Sequence, residues 1–202
     1  FLLLSAWHFG QADFERWSIS KGHMAWGTVA LGMILGWHVE EVNPIIAQMG
    51  VSSGACEAFV QVQDELQFGF TAGLIACGIA ALRMKHWTWG LAIALIGLTP
   101  WIPVLLSFGL YFIGQHSASG WHHLREGLGL SSKSLWMKAL PFTVGALVLI
   151  GLGMWGLGNP EAVQSDATVG AFFMLLGCIS IPHIFESHWF LMATTKPVSY
   201  TH

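Results

Sequence analysis

Long apolar runs alternate along this chain with short stretches that gather most of the charge. Phe1 to Gly10 reads as the later part of a membrane-spanning helix, and Gln11 to Gly22 follows as a polar loop with Asp13, Glu15, Arg16 and Lys21. His23 to Val39 is a glycine-rich run. Glu40 to Gln67 is richer in acid, and Asn43-Pro44 and Ser52-Ser53-Gly54 at its middle predict a loop flanked by short helices lying at an interface. Further runs cover Phe68 to Leu82, Trp87 to Leu98, Trp101 to Ser117, Ala139 to Leu157 and Ala167 to Met192, with a tight turn at Thr99-Pro100. A helix crosses a bilayer with about 20 mostly apolar residues, so the pattern predicts an all-α polytopic transmembrane bundle of roughly seven spans. The bundle is expected to form a single integral membrane domain over residues 1–202. The chain opens FLLLSAWHFG, without a methionine or the basic flank of a signal peptide, and its N-terminal end is expected to be incomplete.

The basic residues sharpen this picture. Arg16 and Lys21 share one gap, Arg83 and Lys85 another, Arg125, Lys133 and Lys138 a third, and Lys196 lies in the tail. The gaps between, around Glu40 to Asp64, Pro100, and Glu161 to Asp166, hold neither lysine nor arginine. Basic residues collect on the cytoplasmic side of a membrane, so the expected setting is the inner (cytoplasmic) cell membrane, with the C-terminus in the cytoplasm. Trp7, Trp17, Trp87, Trp101, Trp136 and Trp189 fall near predicted span ends, as an interfacial belt would. Composition agrees: 54% of residues are hydrophobic and 9% charged, against about a quarter charged in soluble domains. A net charge of −3 excludes the basic footprint of a nucleic-acid binder. Cys56, Cys77 and Cys178 form no C-x-x-C, which excludes a zinc ribbon and a disulfide framework. The pairs Gly32/Gly36 and Gly69/Gly73 are spaced to let helices approach closely.

Candidate chemistry centres on Leu110 to His123, LYFIGQHSASGWHH. An imidazole in lipid must find partners for its ring nitrogens or hold a metal. The predicted topology puts His8, His23, His116 and His183 in the same leaflet and His38 at the opposite face. Imidazoles from separate helices at one depth are how bundles build metal sites, and histidines suit iron, zinc or copper. His8, His116 and His183 are therefore the candidate ligands, with His23 beside them. Asp13 and Glu186 are candidate alternative ligands, or acceptors that fix a histidine tautomer. His123 follows His116 by seven positions and faces the same way on an unbroken helix; a solvated or interfacial pair with His122 is the competing reading. His188, His86 and His202 read as structural, loop and tail residues. No G-x-S-x-G, P-loop or H-E-x-x-H is present.

Ser5 to Asp13 (SAWHFGQAD), Tyr111-Phe112 leading into His116-Ser117, and Pro182-His183 resemble, in order and spacing, the Brp/Blh family of membrane β-carotene 15,15'-dioxygenases. The resemblance implies Fe(2+)-dependent cleavage of the central double bond of β-carotene by O2 to give retinal. It also implies membrane lipid as the surroundings and a rhodopsin or pigment-complex partner. His8 and His116 match the family's ligand positions. The family's first helix, with its Pro-His-Gly-x-x-Asp motif, is absent here, and Gly120 stands where many members carry a further histidine. A largely apolar tunnel for the C40 hydrocarbon would draw on Phe9, Phe108, Tyr111, Phe112, Trp121 and Phe185. The competing reading is a non-catalytic pigment-binding or scaffold subunit, in which His8 or His116 ligates a chlorophyll-type or haem metal. A small transporter, hinted at by Thr99-Pro100 and Ser180 to Pro182, is a third.

Overall fold

The computed structural model describes residues 2–19, 21–157 and 166–194; Glu161, Lys196 and His202, assigned above to a loop and the tail, lie outside the described residues. Among the described residues all regular structure is helical. Helix α1 (Leu2–Arg16) does not stop at Gly10. It continues through the stretch expected to be a polar loop, because Ala12, Phe14 and the following Trp17 bury their apolar groups and Asp13 finds partners inside the bundle. The chain then reverses through Ser18 and Gly22, both at positive φ (56° and 96°), into α2 (His23–Gly36).

These two helices pack closely at Gly10 and Gly27. A methyl group at Gly10 would overlap the His23 carbonyl, and one at Gly27 the Ala6 carbonyl. Both obstacles are backbone, which has nowhere to move without separating the helices. Trp26, Ala30 and Ile34 of α2 are fully buried beside them. The far side of α2 receives α5 (Gln63–Arg83): Gly32 and Gly36 lie against Phe70, and Gly73 against Val29. Three of the four glycines singled out for close approach thus act in that way, while Gly69 faces open space.

Between them lie two short helices, α3 (Val39–Gln48) and α4 (Ser53–Gln61), but they take in residues expected to form a loop: Asn43-Pro44 lies inside α3 and Ser53-Gly54 opens α4, with Ser52 as its cap. His38 lies between the Ile34 and Ile102 carbonyls at 2.7 and 2.8 Å, and Glu41 accepts the Val104 backbone N–H at 3.1 Å. Together they fix the start of the helix that begins at Val104, where free N–H groups favour a carboxylate. Helix α6 (Trp87–Gly97) is capped by His86, whose Nδ1 accepts from the Trp89 N–H while Nε2 donates to the Trp17 carbonyl. Trp17 is 6% exposed, packed in a cluster with Trp26 and Trp89. It is therefore a core residue and not part of an interfacial belt, whereas Trp87, Trp101 and Trp189 are exposed.

A short 3-10 turn (Thr99–Trp101) precedes α7 (Val104–Tyr111). A π turn over Phe112–His116 then leads without a break into α8 (Ser117–Gly127). Helices α9 (Ser132–Leu157) and α10 (Asp166–Thr194) are the last among the described residues, α10 lying against α1, α3 and α8. Among the described residues two segments are long and apolar enough to cross a membrane, Gln63–Arg83 and Thr168–Trp189, and His23–Gly36 is a shorter apolar helix. The roughly seven runs read from the sequence therefore do not appear as seven unbroken spanning helices. The run after Trp101 is divided by the π turn, and α1, α2 and α6 are 15, 14 and 11 residues long. Much of the outer surface is apolar: Phe68, Leu82, Trp87 and Phe142 are between 75% and 81% exposed.

Candidate metal centre

Three helical segments bring histidines to one point. His8 lies midway along α1, His116 ends the π turn, and His183 follows Pro182 within α10. One ligand nitrogen from each can be chosen so that all three lie within 4.8 Å of one another. Bonds from imidazole to a first-row metal are about 2.0–2.1 Å, so closing on an ion asks each ring to move by less than about 1 Å. The His8 ring lies 5.0 Å from that of His116 and 5.4 Å from that of His183, centroid to centroid, edge to face in both cases.

The hydrogen bonding of the three rings supports a ligand role. His8 Nε2 and His116 Nδ1 are sealed from solvent and have no hydrogen-bond partner. Such orphaned nitrogens are costly in an apolar interior, and a metal ion is one way to satisfy them. His8 and His116 are 5% and 7% exposed, while His183 is exposed, so the cluster opens on the α10 side. Its Nε2 lies 3.5 Å from Ser187 Oγ. Three protein nitrogens leave coordination positions for other molecules, the arrangement of reactive rather than purely structural centres.

Asp13 is fully buried in α1 and is not the loop carboxylate expected. Trp26 Nε1 and Tyr111 OH donate to its Oδ2 at 2.9 Å each, and Gln115 Nε2 and Ser119 Oγ donate to its Oδ1 at 3.1 Å each. Four donors fill the lone pairs of a carboxylate. Asp13 touches no histidine; it ties α1 to α2 and to both sides of the π turn, and so sets the direction of His116. This network was missed from sequence, apart from Asp13 itself.

The other candidates lie elsewhere. His123 keeps the face of His116 but sits about 10 Å further along the helix, where its Nε2 donates to the Ala12 carbonyl at 3.0 Å. His122 lies 3.3 Å from the Glu126 carboxylate. His23 is half-buried at the start of α2, its carbonyl over Gly10. Glu186 is exposed and stands outside the three-histidine group. His188 accepts from Gln11 Nε2 at 3.2 Å and packs on Trp7.

Aromatic residues wall the centre on one side. The Phe9 and Phe112 rings lie 4.4 and 5.4 Å from that of His116, and Phe108 continues the wall by stacking on Phe112 at 5.5 Å and meeting Phe173 at 5.6 Å. Tyr111 is fully buried with its hydroxyl committed to Asp13. Trp121 packs on Trp136, and Phe185 is 58% exposed. Of the six aromatics expected to line a tunnel, Phe9 and Phe112 flank the histidines directly.

A family model described as beta-carotene 15,15'-dioxygenase matches residues 1–190. A protein of that name from an uncultured marine bacterium, 66A03, is 27% identical over 197 residues, covering 91% of this chain and 68% of its own. No solved structure matches. With the match extending over nearly all of the helical segments described above, the chain belongs to the beta-carotene 15,15'-dioxygenase family.

Proposed function

We propose that this chain holds iron(II) on His8, His116 and His183 and cleaves the central double bond of β-carotene with O2, giving two molecules of retinal. The observation that carries the reading is the convergence of three imidazoles, two with orphaned buried nitrogens, against the Phe9 and Phe112 wall. Iron(II) bound there would supply the redox and Lewis-acid chemistry of oxygen activation. Both atoms of O2 enter the products: the carbon–carbon double bond breaks and each carbon becomes an aldehyde, so no net proton or outside electron is consumed. A buried acid or base is accordingly not required, in keeping with a carboxylate at Asp13 whose lone pairs are all engaged.

The side chains have separable tasks. The imidazoles hold the ion, Phe9 and Phe112 offer flat apolar surface to a polyene and keep water away, and Asp13 fixes the π turn that aims His116. A C40 hydrocarbon dissolves in the bilayer, and the apolar outer faces with two span-length helices among the described residues suit a membrane protein; the spacing of lysine and arginine is what favours the inner membrane, several passes and a cytoplasmic C-terminus. The exposed side of His183 is the entry this reading assigns to substrate. A pigment or haem metal takes one or two axial ligands, which leaves a third converging imidazole without a task.

The test is expression in β-carotene-producing cells with retinal measured by chromatography. Retinal should accumulate as the carotenoid colour falls, and chelation of iron from the purified protein should stop turnover. Absence of retinal from folded, iron-loaded protein would overturn the assignment. A second experiment uses Gly120, one helical turn beyond His116, where an added side chain meets nothing within 4 Å. Gly120→His is expected to tighten iron binding at least tenfold, about 1.4 kcal/mol, in competition with a chelator. Unchanged affinity would mean that this position points away from the ion.

A further inference from the structure

A second polar cluster lies between α1 and α10, the two helices that bring His8 to His183. Gln11 and Glu15 follow His8 at the third and seventh positions, along one stripe of α1. Gln11 Nε2 sits 3.2 Å from Glu15 Oε1 and 3.2 Å from His188 Nδ1, both electron-pair donors. The remaining oxygens, Gln11 Oε1 and Glu15 Oε2, are sealed from solvent and have no hydrogen-bond partner. Trp7 covers the His188 ring at 5.2 Å. Among the described residues no lysine or arginine pairs with Glu15; the neighbouring Arg16 points outward.

A carboxylate oxygen buried without countercharge or donor is expensive. Here the amide NH2 of Gln11 occupies the one place where positive charge is wanted, between carboxylate and imidazole. A half-turn of that amide puts its carbonyl oxygen there instead. The three side chains then present two oxygens and one nitrogen to the same point, a donor set suited to a divalent first-row cation.

From these contacts we infer that Gln11, Glu15 and His188 form a second, weaker divalent-cation site, through which metal reaches the three-histidine centre. This rests on the reading of that centre as a metal site. Glu15 lies about 10 Å along α1 from His8, next to the polar turn at Ser18, so an ion entering from that end meets the oxygen-rich cluster first. Oxygen donors exchange ions readily, whereas three imidazoles retain them.

The experiment is a Mn(2+) titration of the purified, chelator-stripped protein in nanodiscs, following free Mn(2+) by electron paramagnetic resonance. Wild type should bind two ions per chain, one tightly and one at least tenfold more weakly. Glu15→Gln, matched in shape and checked for an unchanged melting temperature, should lose only the weak event and fill the tight one at least tenfold more slowly. Should Glu15→Gln not fold, Gln11→Leu serves in its place. His116→Ala should lose the tight event and keep the weak one. A single event in wild type, or a weak event and a loading rate that Glu15→Gln leaves untouched, overturns the inference. If His116→Ala alters neither event while the Glu15-dependent one remains, the three-histidine reading fails and the cluster keeps its cation but not its role as an entrance.

Discussion

His116→Ala is expected to strip iron from the protein and cut retinal formation at least a hundredfold while the helices stay in place. Removing the imidazole deletes one of the three converging nitrogens, and two imidazoles hold a divalent ion far less well than three. It also removes a ring packed on Phe9 and Phe112, so some stability is lost with the cavity, about 2–5 kcal/mol by comparison with other buried truncations. Iron content per chain, retinal yield and a melting curve separate these effects. An His116→Ala protein that keeps both iron and activity would remove this residue from the centre. His183→Ala should follow the same direction less steeply, because that ring stands on the open side of the cluster where solvent can replace a ligand.

Asp13→Ala is the other large effect, and it acts on folding first. The substitution leaves the Trp26 indole N–H, the Tyr111 and Ser119 hydroxyls and the Gln115 amide without their acceptor in the interior. Breaking a buried charged network costs about 3–5 kcal/mol, a large part of the stability of a domain this size. Asp13→Asn keeps the shape and one acceptor oxygen but turns an NH2 group towards two of the donors, so a smaller loss of about 1–3 kcal/mol is expected. Thermal denaturation in detergent should rank wild type above Asn and Asn above Ala. Equal stability of all three would show that the four contacts do not hold the helices together. Iron affinity should fall in the same order, since the π turn that presents His116 is tied down on both sides by this carboxylate.

The three histidines were legible in the sequence because the alternation of apolar runs and basic gaps gives each one a depth, and depth is a one-dimensional property. His8, His116 and His183 share a level by that reasoning, and the fold brings their nitrogens together. The face of His123 was likewise readable from helical spacing; its distance along the axis is what sends it to the Ala12 carbonyl. What sequence did not disclose were partnerships between remote positions. Nothing in the spacing of Trp26, Tyr111, Gln115 and Ser119 says that one carboxylate will gather them, and Asp13 with Glu15 and Arg16 nearby reads naturally as a solvated loop. Gly10 and Gly27 escaped notice for a related reason: neither has a second glycine four positions away on its own helix, and their joint role exists only once α1 and α2 are placed side by side.

The π turn joins two phases of one helical rod, held together by Asp13. One extra residue in a turn rotates everything beyond it by about 100° relative to an unbroken α-helix. Phe108 is thus read in one register, Phe112 to His116 make the turn, and Ser119 and His123 are read in the next. Phe108, one turn before the π segment, can change the shape of the aromatic wall, whereas Phe112 and Tyr111 cannot change without disturbing the imidazole or the carboxylate that aims it.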